Sequence, residues 1–385
     1  MKRLAIIHTH PIQYNSPLFK LLHERGKIEI KVFYTWEESQ QGIKYDPGFK
    51  KEINWDIPLL EGYDYCFVKN VSSDPGSHHF KGVVNPSLID DIEIWNADAI
   101  LVFGWRFLSH LKCIRYFSKK KTVLFRGDSN LLDDKNFIKR ILRKYFLKWV
   151  YSFVDFAMYV GTNNKAYYME YGMQENQLLF APHAVDNNRF GFDEVKLKSE
   201  ALEQRALMGI PIDSIVFLFA GKLERKKDPE LLIKAFLQLD NTAHLVLVGN
   251  GELEKDLKEK YDAENIHFID FKNQTEMPLM YRLGNVFVLP SSGPGETWGL
   301  AVNEAMASSS AIIVSDKCGC AIDLVKQEKN GYIFKSGELT ELYMALDSMK
   351  DKKRIEEMGA YSKAIIHNWS FEAICTQIEN TVIKN

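Results

Sequence analysis

One stretch decides the fold, residues 286–307, which reads VFVLPSSGPGETWGLAVNEAMA. Its apolar start, residues 286–289, is typical of a strand buried on both faces of a parallel sheet. A loop rich in Gly, Pro and Ser follows, and the pattern predicts that a helix begins near Gly299. A glycine at a helix start lets a ligand approach the free backbone N–H groups, where the helix dipole favours an anion. The stretch therefore predicts a strand–loop–helix unit with a possible phosphate site.

Similar apolar runs recur along the chain and alternate with helical patterns. Ser16 followed by Pro17 predicts the N-cap and first position of a helix that Gly26 ends, and Asp228-Pro229 opens another through Leu239. This alternation predicts an α/β fold with open parallel sheets and helices on both faces. The other predicted strands are residues 4–7, 28–34, 99–103, 122–125, 156–160, 215–220, 245–248 and 311–314.

The length favours two domains. The chain has 385 residues, and single hydrophobic cores stop growing at roughly 250–300 residues. A boundary is predicted between residues 190 and 214, where the charged stretch 194–205 interrupts the sheet pattern. Two α/β domains would leave a cleft between them, lined by loops at the carboxyl ends of the strands.

Composition excludes several classes of protein. A net charge of −2 gives no bulk polycation for nucleic acid. Five cysteines, an odd and scattered set, favour a reducing compartment, and the Cys318-x-Cys320 pair lacks the further ligands of a zinc site. The apolar run after Arg3 is too short for a secretion signal, and no stretch reaches the roughly 18–20 apolar residues of a membrane span. We expect a cytoplasmic protein without a metal.

Two carboxylates frame the predicted helix start. Glu296 lies in the loop and Glu304 about one turn inside the helix, and carboxylates accept hydrogen bonds from vicinal hydroxyls. Taken singly, Glu296 could serve the helix dipole and Glu304 could be a solvated helix residue. With the flanking Pro-Ser, Glu-Thr-Trp-Gly-Leu and Glu-Ala-Met-Ala, however, the stretch resembles the donor-site signature of the retaining glycosyltransferases of family 4.

The resemblance implies the GT-B fold, two facing Rossmann-like domains with an inter-domain cleft. It implies an acceptor-side domain over residues 1–190, a nucleotide-sugar donor domain over 200–365, and a C-terminal helix, 366–385, that returns to the first domain. It also implies that Glu304 binds the ribose, that Glu296 contacts the transferred sugar, and that the amides of Gly299 and Leu300 receive the diphosphate, with Thr297 beside them.

A second motif, GKLERKKD at residues 221–228, follows the predicted strand 215–220. As a charge run alone it could be a solvated face, but cations beside a helix N-terminus suit a diphosphate leaving group. The resemblance implies that the diphosphate is held by Lys222, directly after Gly221, and by Lys227, five positions later. The family usually has arginine at the first of these positions. It places Asn250 and Phe271 in the base pocket.

The first domain resembles the family less. A loop of His, Gln, Tyr and Asn residues stands at 8–17 in place of a Gly-Gly loop. Side chains of this loop and of the segment after the predicted strand 122–125 are predicted to lie on the acceptor side. For Arg126 and Asp128, a mutual salt bridge is an equal interpretation. The acceptor-side residues are His10, Gln13, Tyr14, Arg126 and Asp128.

Residues 137–149 predict a basic amphipathic helix with five cations and no acid. Such a helix can lie on an anionic membrane surface, which would suit a lipid-linked glycan acceptor and a peripheral position at the inner face of the membrane. An ordinary sheet-covering helix with a charged outer face is the other interpretation.

The predicted function is transfer of a sugar from a nucleoside-diphosphate sugar, UDP before GDP, to an acceptor hydroxyl in bacterial polysaccharide or glycoconjugate synthesis. The resemblance implies retention of configuration without a metal or other cofactor, and the pairs Asp90-Asp91 and Asp133-Asp134 lack the Asp-x-Asp spacing. A nucleotide-sugar 2-epimerase of the same architecture is the main alternative. A nicotinamide-dependent oxidoreductase would need a Gly-x-Gly-x-x-Gly turn, which neither strand 4–7 nor 215–220 precedes, and a non-catalytic nucleotide-binding module would not need both acids and both lysines.

Overall fold

The computed structural model of the protein describes residues 1–36, 44–46, 49, 51–132, 137–240 and 242–385, so the pair Asp133-Asp134 lies outside the described residues. The strands are β1 Arg3–His8, β2 Glu29–Tyr34, β3 Lys44–Asp46, β4 Lys51–Ile53, β5 Tyr65–Phe67, β6 Ala99–Phe103, β7 Thr122–Arg126, β8 Phe156–Tyr159, β9 Leu178–Phe180, β10 Val216–Ala220, β11 His244–Val248, β12 Ile266–Ile269, β13 Val286–Leu289, β14 Ala311–Ser315 and β15 Gly331–Phe334. The helices are α1 Ser16–Glu24, α2 Leu88–Ile94, α3 Leu108–Phe117, α4 Phe137–Tyr151, α5 Thr162–Glu170, α6 Asn187–Gly191, α7 Glu194–Leu207, α8 Pro229–Phe236, α9 Glu254–Lys260, α10 Met277–Arg282, α11 Leu300–Ala307, α12 Ala321–Leu324, α13 Leu339–Asp347, α14 Lys352–Ile366 and α15 Phe371–Lys384.

The chain divides into two compact units. Unit 1 comprises Met1–Lys44, Ile57–Pro182 and Phe371–Asn385, and unit 2 comprises Tyr45–Asp56 and His183–Ser370. The division near the middle of the chain falls after residue 182, before the predicted boundary between residues 190 and 214. The C-terminal segment begins at residue 371 instead of 366, and it is grouped with unit 1.

Unit 1 is built on a seven-stranded sheet in the order β5-β2-β1-β6-β7-β8-β9. Its neighbouring strands are all parallel, and β1 pairs with both β2 and β6. The apolar side chains of β1 and β6 are almost fully buried, as expected for strands covered on both faces. The strand order reverses between β1 and β6, so the loops that follow these strands diverge at that point.

Unit 2 is built on a six-stranded parallel sheet in the order β12-β11-β10-β13-β14-β15. Here the order reverses between β10 and β13. Open α/β sheets bind ligands outside the carboxyl ends of the strands at such a reversal, and both sequence motifs follow these two strands. A separate short sheet pairs β3 with β4.

The predicted α/β class is confirmed, with differences at element ends. Asn15 is the N-cap of α1 and Ser16 its first residue, so the N-cap prediction for Ser16 is wrong. The helix predicted through Leu239 ends at Phe236. Over the part of the chain that is described, no helix is both long enough and apolar enough to span a bilayer.

Helix α15 packs against α1 within unit 1. Arg25, directly after α1, donates to both carboxylate oxygens of Glu379 at 2.7 Å, and Lys27 Nζ lies 3.2 Å from one of them. The Glu379 side chain is only 1% exposed. A bidentate pair of this kind fixes orientation as well as charge, so it sets how α15 lies on the unit.

Candidate active site

The loops after β10 and β13 bring Lys227 and Glu296 together in unit 2. Lys227 ends a short 3₁₀ turn, Arg225–Lys227, and its Nζ lies 2.6 Å from Glu296 Oε2. Ser291 donates its hydroxyl to the same oxygen at 3.0 Å. Both charged side chains are mostly buried, at 15% and 11% exposure. The strand reversal thus places a cation and a carboxylate, 69 positions apart in sequence, in direct contact at the edge where ligands bind.

Gly299 opens the N-terminus of α11 beside this pair. It is the N-cap residue with φ of +100°, a conformation that L side chains rarely adopt. A Cβ at this position would lie 3.2 Å from Leu289 Cδ2 and 3.8 Å from Glu296 Oε1. Helix α11, which starts at Leu300, therefore presents its first backbone N–H groups next to Glu296, where an anion is favoured.

The loop that carries Thr297 is held by the Cys-Gly-Cys segment. Gly319 N donates to Glu296 O at 3.2 Å, and Cys320 N donates to Trp298 O at 3.0 Å. Cys318 is fully buried, and burial raises the pKa of its thiol to about 12. The pair is therefore a neutral packing element that positions the loop, and this assigns it a role that the sequence had not suggested.

Glu304 is buried, with 3% exposure. The hydroxyl of Tyr281, on α10, donates to Glu304 Oε2 at 2.6 Å. The interpretation of Glu304 as a solvated helix residue is therefore wrong. The hydrogen bond fixes the orientation of the carboxylate. No sequence motif had indicated Tyr281, which is a lone residue in an ordinary helical pattern.

Trp298 connects this loop to the start of the second segment of unit 2, which begins at His183. Its indole N–H donates to Asn303 Oδ1 at 2.8 Å, and Asn303 Nδ2 donates to the backbone carbonyl of His183 at 2.9 Å. The rings of His183 and Trp298 lie 5.7 Å apart. His183 thus takes part in packing through its backbone carbonyl and its ring.

The predicted base-pocket residues lie at the carboxyl ends of β11 and β12. Asn250 donates to Glu254 at 2.8 Å and to Asp270 at 3.2 Å, and its Oδ1 accepts from the Phe271 amide at 2.8 Å. The Asn250 side chain therefore holds the loop that carries Phe271. The Phe271 ring contacts two aromatic residues that the sequence did not indicate, Phe49 at 4.8 Å and Trp55 at 6.4 Å between centroids.

Lys222 lies at the same edge of the sheet as these aromatic rings. Its Nζ lies 4.9 Å from the centroid of the Phe49 ring, within the range of a cation–π contact. Gly221, before it, donates its N–H to Val248 O at 3.0 Å and so ends β10. The two predicted lysines therefore differ, because Lys227 neutralises Glu296 whereas Lys222 lies over an aromatic face.

The predicted acceptor-side residues all belong to unit 1. His10 packs edge-on against Trp36 at 5.2 Å, and Gln13 and Tyr14 form the turn before α1. Arg126 is buried and donates to the carbonyls of Ala181 at 2.7 Å and Pro182 at 2.9 Å. Burial lowers the pKa of its guanidinium to about 10. Arg126 therefore orders the chain around residue 182, and the half-buried Asp128 follows it.

Two buried histidines had no predicted role: His8, the last residue of β1, and His110, a residue of α3 whose Nδ1 lies 3.1 Å from the carbonyl of Phe103 at the end of β6. Burial lowers the pKa of His8 to about 3 and that of His110 to about 4, and the neighbouring His10 and His110 lower that of His8 further. Asn15 Nδ2 lies 2.9 Å from His8 Nε2. At neutral pH both rings are uncharged, so His8 Nε2 accepts from the amide while its proton sits on Nδ1.

Comparison with known proteins identifies the second unit. Residues 201–365 match the family model of the glycosyl transferases group 1. Sulfoquinovosyl transferase SQD2 of Arabidopsis thaliana is 27% identical over 209 residues, 53% of this chain and 39% of that protein. UDP-Gal:alpha-D-GlcNAc-diphosphoundecaprenol alpha-1,3-galactosyltransferase of Escherichia coli is 28% identical over 190 residues, 46% of each chain. The chain spans about two fifths to a half of the length of such curated relatives.

Solved structures share the fold of the whole chain. Anabaena HepE, in complex with UDP and glucose, superimposes with a TM-score of 0.72 at 15% identity and 100% coverage of both chains. The fold is therefore the GT-B fold that the sequence predicted. The match of residues 201–365 to the glycosyl transferases group 1 confirms the resemblance found in the sequence of this part of the chain.

Proposed function

We propose that the protein is a retaining glycosyltransferase that moves a sugar from a nucleoside-diphosphate sugar, UDP before GDP, to an acceptor hydroxyl. The observation that carries this proposal is the contact of Lys227 with Glu296 at 2.6 Å beside the N-terminus of α11. The relatives support the donor class, since the Escherichia coli enzyme is named for UDP-Gal and the Anabaena structure holds UDP and glucose.

The proposed chemistry places negative charge on a leaving diphosphate and positive charge on the sugar ring. Lys227, Lys222 and the amides of Gly299 and Leu300 stabilise the diphosphate, because cations and a helix N-terminus both favour an anion. Glu296 then faces the reacting end of the sugar. The departing phosphate takes the acceptor proton, so the proposal needs neither a protein base nor a metal at this site.

The other proposed contacts with the donor involve the buried polar residues Glu304 and Asn250. Glu304, oriented by Tyr281, accepts hydrogen bonds from the ribose hydroxyls. Phe271, whose loop Asn250 holds, offers an aromatic face to the base. Thr297 and Gly221 contribute backbone at the two loop ends. In this proposal the bound nucleotide lies along the carboxyl edge of the sheet of unit 2.

The acceptor side is proposed to use unit 1. His10, Gln13 and Tyr14 offer polar groups after β1, and Asp128 follows Arg126 after β7. The acceptor class we propose is a glycan or lipid-linked glycan in bacterial polysaccharide or glycoconjugate synthesis. Since the buried Arg126 already donates to the carbonyls of Ala181 and Pro182, we assign it the ordering of the chain around residue 182 and not a direct contact with the acceptor.

Helix α4 is the proposed site of peripheral membrane contact at the inner face of the membrane. From residue 141 onward its outer side carries Leu142 at 68% exposure, Tyr145 at 73% and Trp149 at 40%. Arg143 and Lys148 are exposed among them, and Lys144 pairs with Glu170 at 2.9 Å. Exposed aromatic and cationic side chains together suit an anionic interface. Flotation with anionic compared with neutral vesicles tests the contact.

Replacement of Glu296 by Gln tests the proposed transfer. We expect a fall in kcat of roughly 100-fold or more, the scale seen when one preorganised electrostatic group is removed, while UDP binding measured by calorimetry stays largely intact. Lys227→Ala should weaken both binding and transfer. Glu259→Gln is the matched control, since Glu259 is 67% exposed in an ion pair with Lys255.

Product analysis separates the alternatives. Near-full turnover of the Glu296→Gln protein would overturn the role given to Glu296. Formation of an epimeric nucleotide sugar in the absence of acceptor, without release of free nucleotide, would instead identify a 2-epimerase.

A further inference from the structure

A loop of unit 1, residues 72–82, gathers three potential metal ligands that the proposed transfer does not use. Its sequence is SSDPGSHHFKG. His78 Nε2 lies 3.2 Å and His79 Nε2 3.3 Å from the same oxygen of Asp74. One ligand atom from each of the three residues lies within 4.8 Å of the others. The three side chains therefore converge on one point at the surface of the loop.

Two of the separations fit a small metal ion. Ligand atoms at about 2.0–2.1 Å from a tetrahedral zinc lie about 3.3–3.4 Å from one another, which matches the two measured distances to Asp74 Oδ2. Two imidazoles and one carboxylate are ligands that suit divalent first-row transition metals. We propose that Asp74, His78 and His79 bind one divalent transition-metal ion of the zinc class, with water in the open position.

The loop is held in shape from within, so the ligands are preorganised. Buried Asn70 donates to Gly82 O at 3.0 Å, and its Oδ1 accepts from the amides of Ser72 at 3.2 Å and Val84 at 2.8 Å. The backbone of Gly82 also lies against that of Gly76, because a Cβ on Gly82 would lie 2.0 Å from Gly76 O. Less conformational entropy is then lost when the ion binds.

Contacts outside the loop fix the histidines further. Arg106 Nη2 donates to the carbonyl of His78 at 3.1 Å, and the Leu108 amide donates to Phe80 O at 2.9 Å. His79 Nε2 also lies 2.9 Å from the backbone carbonyl oxygen of Asp74, a contact that holds the His79 ring beside Asp74.

In this proposal the bound ion stabilises the conformation of the loop. Asp74 and His78 are 69% and 62% exposed, and three protein ligands are fewer than the four of a closed structural zinc site. We therefore expect weaker binding than in a zinc finger and no requirement for the ion in sugar transfer. The proposal stands apart from the donor site of unit 2, whose chemistry we propose to be metal-independent.

Titration of the full chain, prepared without a histidine tag, with Zn²⁺ and with Co²⁺ tests the site. We expect one ion per chain by calorimetry and a Co²⁺ absorption spectrum of low coordination number. Asp74→Asn and His78→Ala should each weaken binding by at least about tenfold, since even changes to groups outside the ligands cost 10–100-fold. His23→Ala, an exposed histidine of α1, should leave the affinity unchanged.

Circular dichroism confirms that each variant is folded, and Asp74→Asn preserves the shape of the side chain if His78→Ala fails to fold. Absence of stoichiometric binding, or equal affinity in the wild-type, Asp74→Asn and His78→Ala proteins, would overturn the proposal. An intact UDP affinity in all of them would show that the result does not depend on the donor site.

Discussion

Glu296 and Glu304 lie eight positions apart in sequence but in different electrostatic environments. Glu296 contacts the ammonium group of Lys227, so its charge is balanced within unit 2. Glu304 is buried and receives the neutral hydroxyl of Tyr281. A strong hydrogen bond from a neutral donor fixes orientation without adding a charge. A charged ligand that binds Lys227 would therefore change the electrostatic environment of Glu296. The orientation of Glu304 is instead fixed by an uncharged hydrogen-bond donor.

Tyr281→Phe should reduce both stability and donor binding. Removing the hydroxyl takes a hydrogen bond from a buried carboxylate, at a cost of about 1–3 kcal/mol in the free energy of unfolding. Because Glu304 then loses its fixed orientation, the KM for the nucleotide sugar should rise more than kcat falls. Chemical denaturation and donor titration measure the two effects.

Tyr261→Phe provides the matched control for that substitution. The Tyr261 hydroxyl donates to Glu230 at 2.9 Å, but Glu230 is part of an exposed network with Lys260 and Lys234. Its loss should change stability by less than about 1 kcal/mol, as for other surface interactions. Equal effects of the two substitutions would contradict the orientation proposed for Glu304.

At the scale of elements, the start of α11 depends on the backbone more than on any side chain. Gly299 adopts φ of +100° at the N-cap, and the loop before it is joined to residues 319 and 320 by backbone hydrogen bonds. A left-handed N-cap turns the chain sharply into the helix. The amides of α11 consequently point to the same place as the Lys227 and Glu296 side chains.

Gly299→Ala should therefore impair both folding and nucleotide binding. A side chain in the left-handed region costs roughly 1–2 kcal/mol, and the new Cβ would approach Leu289 Cδ2 to 3.2 Å. Gly337→Ala is the control, because Gly337 has φ of +81° but no heavy atom within 4 Å of the Cβ position. We expect similar backbone strain in both, measured by thermal unfolding, and loss of UDP affinity in the Gly299 variant alone.

Most strands of the two sheets could be predicted from the sequence because their apolar runs are continuous and fully buried. Strand β5 was missed since it is three residues long and partly exposed, which leaves no run to detect. Of the site, the resemblance indicated Glu296 and Lys227. Tyr281 and the contact of Ser291 with Glu296 could not be found, because both depend on tertiary structure that no local pattern encodes.

At the scale of the whole molecule, the C-terminal helix joins the two ends of the chain within unit 1. The carboxylate of Glu379 is buried against Arg25 and Lys27. Burial raises the pKa of this carboxyl, but the hydrogen bonds from Arg25 and Lys27 outweigh burial and hold the pKa below its ordinary value. Ionised Glu379 therefore stabilises the folded protein.

Glu379→Gln should lower the free energy of unfolding by about 1.5–3 kcal/mol at neutral pH, the range for hydrogen bonds to charged groups. A lowered pKa stabilises the fold above the unfolded value of about 4.3, and this contribution disappears as the pH falls through the folded pKa. The difference from wild type should accordingly shrink below pH of about 4. Denaturant unfolding at several pH values measures it.

Glu24→Gln is the control for this substitution. Glu24 ends α1, its side chain is 55% exposed, and its Oε1 lies 3.9 Å from Nζ of Lys20 in the same helix. Its effect should remain below about 1 kcal/mol at every pH. A pH-independent loss in the Glu379→Gln protein would point to packing and not to the ion pair.

The position of α15 also determines the order in which the units can be completed on the ribosome. Residues 371–385 belong to unit 1 but are synthesised after the whole of residues 183–370. Unit 2 therefore has all its segments while the surface of α1 that receives α15 is still uncovered. Domains generally fold as units while the chain emerges, so unit 1 cannot be completed until residues 371–385 have also left the exit tunnel.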